Sequence, residues 1–390
     1  MKTRTIATFG MILAGGVAAL GGTSKEARRC RGATVPLMGA LPARPPVVQL
    51  AILLDTSNSM DGLIDQARSQ LWKIVNELAG ARRQGRFVEL QVALYEYGNN
   101  RIPASQGYVR RVLPFTTDLD RVSEELFALT TLGGDEYCGT VIQASLDQLR
   151  WSASPADLKV IFIAGNEPFS QGPVDFRKAC ARARAKDVVV NTIHCGAREQ
   201  GEQTGWRDGA LLAYGSFSTI DQDRAVTHVE APQDAKIARL GLELNKTYIP
   251  YGSIGREGQA RQGAQDENAA KFGAGSATHR AVTKANRIYS NAEWDLVDAV
   301  RQKHVDLERV KEAELPVEMQ GLSAKEKKAL VETRAAEREK IQARINDLNR
   351  ERARYVGEQR RSKGAAADTL DLVVTKALRE QAACNGIELQ

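Results

Sequence analysis

Residues 47–54 form a nearly unbroken apolar run that stops at Asp55. Such a run is expected of a strand buried on both faces of a parallel sheet. A strand covered on both faces needs helices above and below it, and the following segments supply them. Residues 62–79 place Ile64, Ala67, Leu71, Ile74, Val75 and Leu78 on one helical face. Residues 88–97 read as a second strand and 108–113 as an edge strand, followed by a helix over 118–129. After Gly133-Gly134 come a helix over 140–150, a buried strand over 158–164, a helix over 176–185 and a β-branched strand over 188–194. A final strand falls within 210–220, and a last amphipathic helix runs over 234–244 through Ile237, Leu240 and Leu244. This alternation predicts an α/β fold with a doubly wound, mostly parallel sheet, whose ligand lies beyond the carboxyl ends of the strands. The element set closes within 47–252, so this domain is expected to fold without the rest of the chain.

Beyond it the texture changes. Residues 253–276 are rich in Gly, Ala and Gln and read as a flexible or weakly helical linker. Residues 277–390 read as a helical tail. Ser323-x-x-Glu326 has the form of a capping box opening a long charged helix. Ile341, Ile345, Leu348 and Tyr355 follow roughly coiled-coil spacing, interrupted by Arg352. Asp368 is placed to cap a last helix carrying Leu370, Val373, Val374, Ala377 and Leu378, with Gly386 as its stop. The expected product is a helical hairpin.

The chemistry concentrates directly after the first strand, in Asp55-Thr56-Ser57-Asn58-Ser59. A carboxylate and two hydroxyls at alternate loop positions can turn three oxygens toward one hard cation, and magnesium takes such ligands while keeping waters elsewhere. The competing reading is that Ser57 and Ser59 cap the following helix.

Asp55-x-Ser57-x-Ser59 after an apolar strand resembles the metal-ion-dependent adhesion site of von Willebrand factor A domains. Gly133-Gly134-Asp135 resembles that family's second metal loop, and Val160 to Pro168 its third. The resemblance covers residues 47–252. It implies a six-stranded sheet with a divalent cation (Mg2+, Mn2+ or Ca2+) at its carboxyl edge, completed by an acidic side chain of a protein partner. Two positions depart from the pattern. The second loop has Asp135 where the family offers a threonine, with Thr140 a later candidate. The third has Gly165 in place of an aspartate, and Glu167 or Asn166 could substitute. The alternatives are a rearranged site, in which Asp135 restores the missing charge, and a site without metal.

Lys2 and Arg4, an apolar stretch over 6–20 and then Gly21, Gly22 and Thr23 follow the order of a secretory signal, assigned to 1–26, with a Pro-rich linker over 27–46. The apolar stretch is too short and glycine-rich for a spanning helix, so no membrane span is expected after cleavage. Export places the chain in the periplasm, at the cell surface or outside the cell. An oxidising compartment permits disulfides, and at least one is expected among Cys138, Cys180 and Cys195, with Cys30 and Cys384 also present. A soft-metal site from Cys138, Cys195 and His194 is a lesser reading. The net charge is +6, but basic and acidic residues are mixed, which argues for solvated helix faces and against nucleic acid.

Searches for a phosphate-binding loop, a metalloprotease helix or a nucleophile elbow find none. The expected function is therefore an exported interaction, adhesion or scaffold module and not an enzyme. The alternatives are a metal-free structural protein that self-associates through its tail and an accessory subunit of a separate enzyme.

Overall fold

The computed structural model describes residues 44–223, 228–363 and 369–389. The expected secretory signal, most of the 27–46 linker, Cys30 and Asp368 lie outside these residues. None of the described helices is long and apolar enough to cross a membrane.

Strand β1 (Val47–Asp55) is followed by a short hairpin, β2 (Arg82–Arg83) and β3 (Arg86–Phe87), and then by β4 (Glu89–Tyr97) and β5 (Val109–Thr116). The sheet is completed by β6 (Leu158–Gly165), β7 (Val189–Cys195) and β8 (Phe217–Ile220), in the order β5-β4-β1-β6-β7-β8. All pairings are parallel except β4 with β5 at one edge. Alternate side chains of β1 divide between two cores, Val48, Leu50 and Leu54 on one face and Ala51 and Leu53 on the other.

Helices α1 (Asp61–Leu78) and α2 (Leu119–Ala128) cover the first face. Helices α3 (Cys138–Gln148), α4 (Phe176–Ala185) and α6 (Trp206–Leu212) cover the second, with α5 (Arg198–Gln203) between β7 and α6. The α/β expectation and its doubly wound order are therefore the observed fold.

The remaining helices depart from the expected tail. Residues 253–276, read as a linker, form α8 (Gly255–Lys271) and the start of α9 (Ala274–Lys284), after α7 (Asp234–Asn245). α8 lacks an apolar stripe because its contacts are small or polar. A Cβ on Gly258 would meet the Trp294 ring at 2.3 Å. Buried Gln262 donates to the Tyr289 hydroxyl at 3.0 Å, and Gln265 accepts from Ser123 Oγ at 2.8 Å. Asp266 pairs with Arg280 and Lys284, both nearly inaccessible to solvent.

α10 (Leu296–Arg301) precedes the long α11 (Ala324–Lys363), which opens with the expected capping box, Glu326 N–H donating to Ser323 Oγ and Ser323 N–H to Glu326 Oε2. α11 does not form a hairpin with α12 (Leu370–Cys384). It packs on α7, α9 and α10, whereas α12 packs on α1 and Ile387–Glu388 (β9) pairs with β2. Arg352, the interruption in the supposed seam, is buried and paired with Asp234. Ile345, Leu348, Leu370 and Leu378 share one core with Leu50 and Leu71, so the 47–252 segment does not close its own core.

The disulfide expected among Cys138, Cys180 and Cys195 does not form, whereas Cys384 is disulfide-bonded. Cys138, Cys180 and Cys195 are buried free thiols. Cys195 belongs to one face of the sheet and the other two to the opposite face, which keeps Cys195 from either of them.

Candidate metal site

The chain runs from β1 outward to β4 and β5, then crosses back to β6 on the other side of β1. The crevice of a doubly wound sheet opens where the order reverses, here between β1 and β6. In register, Leu54 lies beside Ala164 and Asp55 beside Tyr97, so Asp55, Tyr97 and Gly165 meet at one edge.

Asp55 is fully buried and its Oδ1 accepts the Ser57 N–H at 2.8 Å. Ser57 Oγ and Ser59 Oγ are 3.3 Å apart, and Asn166 Nδ2 donates to Ser59 Oγ at 3.0 Å. Neither serine caps the helix. Ser57 precedes the short 3-10 turn Asn58–Met60 and makes no side-chain cap bond, and α1 starts after Met60. The hydroxyls are thus left to the edge. The second loop is clamped beside them, with Gly133 N–H donating to Asn58 Oδ1 at 2.7 Å and Leu132 N–H to the Thr56 carbonyl at 3.0 Å.

The second carboxylate is Glu136, which the sequence reading passed over. Asp135 is exposed and accepts from the Tyr137 hydroxyl at 3.1 Å. Glu136, only 5% exposed, turns inward and lies within hydrogen-bonding reach of Asp55, Ser57 and the Glu167 backbone. Burial, and then the bond and charge of Glu136, push the Asp55 carboxyl well above the usual carboxylate range against the lowering effect of Ser57. Burial also raises Glu136, and the Glu167 charge adds to it. Two acids this close share a proton unless a cation replaces it.

The other candidates are scattered. Glu167 is exposed, and its carbonyl accepts from Trp206 Nε1 at 2.9 Å. Thr140 sits in the first turn of α3 with its methyl toward Gly107, and its Oγ1 has no partner. His194 is buried against Trp206 with ring centroids 5.6 Å apart. Cys138 and Cys195 lie on opposite faces, so the soft-metal trio does not assemble. Among the described residues no group of three or more His, Cys, Asp or Glu side chains could hold a metal.

The departure at Gly165 has a steric cause. A Cβ there would lie 2.5 Å from the Tyr97 hydroxyl and 2.9 Å from Asp55 Oδ2. Tyr97 donates to the Ala164 carbonyl at 2.9 Å, so its ring is held in place. The edge nevertheless fits a small hard cation. Asp55 Oδ2, Glu136 Oε2 and Asn166 Oδ1 are buried acceptors without a donor, next to two serine hydroxyls. Unpaired buried acceptors are costly, and magnesium is satisfied by one or two carboxylates with water in the remaining positions.

The family model of the von Willebrand factor type A domain matches residues 49–205. Among solved structures, the conserved hypothetical protein BatB from Bacteroides thetaiotaomicron is 16% identical, with 45% of this chain and 90% of that chain covered and a TM-score of 0.34. The SpRpn10 VWA domain is also 16% identical, covering 44% of this chain and 87% of its own, with a TM-score of 0.34. Proximal thread matrix protein 1 from the mussel byssus is 11% identical with a TM-score of 0.32, and the match spans 46% of this chain and 42% of that one. No curated protein matches this chain.

Proposed function

From the premise that residues 49–205 are a von Willebrand factor type A domain, we propose that the chain is an exported interaction module that grips a protein partner at the carboxyl edge of the sheet. Asp55 and Glu136 would hold a divalent cation there, with Ser57 and Ser59 as neutral ligands. The bound cation supplies an electrophilic contact point for an oxygen of the partner. The observation that carries this reading is the pair of buried carboxylate oxygens, Asp55 Oδ2 and Glu136 Oε2, that face no donor.

The protein's own groups prepare the contact. The Ser57 N–H orients Asp55, the Asn58–Gly133 bond fixes the first loop against the second, and Asn166 holds Ser59. Exposed Leu132 and Glu167 flank the edge and give a partner something to pack against. The reading is of a binding module and not an enzyme. Self-association through the tail has less support, because Ile345 and Leu348 are spent in the chain's own core.

The test is manganese binding by the full chain, followed by the electron paramagnetic signal of the free ion. Wild type is expected to deplete that signal and Asp55→Ala to leave it. Equal free manganese with both proteins would end the metal-assisted reading.

A further inference from the structure

Helices α1, α9, α11 and α12, with the residues between β8 and α7, line a cleft of about 860 Å³ that shares no side chain with the cation edge. That volume accommodates a small organic molecule. α9 begins in its wall, where Gly275 and Ser276 both line the cleft. The residue that caps α9 is Gly273, which has no side chain to accept the N–H groups of the first turn. The Ser276 hydroxyl also lacks a hydrogen-bond partner, although the residue is only 5% exposed. We propose that this cleft binds a small phosphate monoester, with its phosphoryl oxygens on the first N–H groups of α9, on Ser276 and on Arg352. The organic body would lie along Val229, Val282 and Val356.

A chain of contacts brings these groups together. A Cβ on Gly275 would lie 2.4 Å from His228 Nδ1, so the imidazole rests on the first turn of α9. His228 Nε2 is 2.8 Å from Asp234 Oδ2, and the other oxygen of Asp234 takes Arg352 Nε. Asp234 thereby holds both basic side chains at the start of α9 while engaging only the Nε of the guanidinium, whose amino groups remain as donors. The helix dipole adds partial positive charge at the same place. His279, one turn further along α9, reports the field there. Burial, and then the charges of Arg352, Lys73 and His228, hold its imidazole well below the usual pKa, against the opposing charge of Asp234. Of the acids lining the cleft, Asp65 pairs with Arg68 and Glu77 with Arg379, and Asp223 is exposed. A phosphoryl group suits this end because three oxygens can accept from several donors at once, whereas a carboxylate offers two.

Phenyl phosphate and benzoate are matched probes, one ring carrying either a phosphoryl group or a carboxylate. Each is titrated calorimetrically into the full chain with chelator present, so that no cation at the sheet edge contributes. Phenyl phosphate is expected to bind, and benzoate to bind several-fold more weakly or not at all. Ser276→Asp sets a carboxylate where the phosphoryl group would sit, at a helix position that favours an acid, and is expected to abolish binding. Ser276→Ala removes only the unpartnered hydroxyl and is expected to weaken binding several-fold. The proposal is overturned if phenyl phosphate does not bind, if benzoate binds as tightly, or if folded Ser276→Asp binds like wild type. Should Ser276→Asp fail to fold, unchanged binding by Ser276→Ala overturns it instead.

Discussion

Tyr97 stands where a side chain on Gly165 would begin, its hydroxyl 2.5 Å from the position of a Cβ and bonded to the Ala164 carbonyl. The two residues exclude each other's alternatives: a tyrosine here requires a glycine there. Gly165→Asp, which would place an aspartate in the third loop, is therefore expected to destabilise the fold by about 1–3 kcal/mol through overpacking. Adding Tyr97→Phe should recover part of the loss. Urea denaturation of the single and double variants checks this, and additive effects would disprove the steric link.

Divalent-cation binding should follow the inward carboxylates and not the outward one. Saturating magnesium or manganese is expected to raise the wild-type melting temperature, since a ligand at a hundredfold excess over its Kd adds roughly 2.7 kcal/mol. Asp55→Ala should abolish the rise and Glu136→Ala nearly so. Asp135→Ala and Thr140→Ala should leave most of it, because Asp135 is exposed and Thr140 is turned toward Gly107. A melting series with and without chelator distinguishes the four.

The same pair sets a pH dependence. Asp55 and Glu136 have folded-state pKa values above those of an unfolded chain. The folded protein thus retains protons that the unfolded chain releases. Their contribution to stability is complete below the ordinary carboxylate range, near pH 4, and is lost as pH rises through the raised values. Without metal, wild type should lose stability relative to Asp55→Asn as pH rises above the ordinary carboxylate range. Taking the difference cancels carboxylates of opposite sign such as Asp266, whose pKa is lowered despite burial by Arg280 and Lys284. Magnesium should shrink the difference, because the cation takes the proton's place. Melting curves across pH test the sign.

Arg280 welds the helical layer to the sheet domain. It is 2% exposed, pairs with Asp120 of α2 and Asp266 of α8, and lies 4.4 Å from the Trp72 ring centre. Arg280→Ala leaves buried Asp120 without its cation and Asp266 with Lys284 alone, and is expected to cost about 3–5 kcal/mol. Arg280→Lys should rescue only part, since an ammonium cannot span both acids and stack on the ring. Denaturant titration gives both values.

The thiols of Cys138, Cys180 and Cys195 should resist alkylation in the native state. All are buried, and burial raises each thiol, Cys180 to about 12. Reactive thiolate is therefore scarce at neutral pH. Iodoacetamide labelling with peptide mapping should find these three unmodified natively and modified after unfolding in denaturant. Rapid native labelling of any of them would contradict the packing.

Much of the sheet domain was readable because its signals are local. Helix α4 spans Phe176–Ala185 as expected, β6 begins at Leu158 and the Ser323–Glu326 box forms. Apolar runs, helical periodicity and caps each act over a few residues, so composition along the chain suffices to find them. Asp55, Ser57 and Ser59 belong to this class, since a loop directly after a buried strand can lie only at the sheet's edge.

By itself, then, the sequence determined the strand and helix alternation, the sheet class and the first metal loop. Only the tertiary structure decided that Glu136 and not Asp135 turns inward, because one residue of phase in a loop depends on where Gln171 receives the Glu136 N–H and where Tyr137 meets Asp135. It also decided that Gly165 is obligatory, a fact written in Tyr97 some seventy positions away. And it turned a Gly- and Gln-rich stretch into α8, whose buried amides and carboxylate have partners at Ser123, Tyr289, Arg280 and Lys284. Polar groups read as solvated until their partners are known, and those partners are brought close by the fold alone.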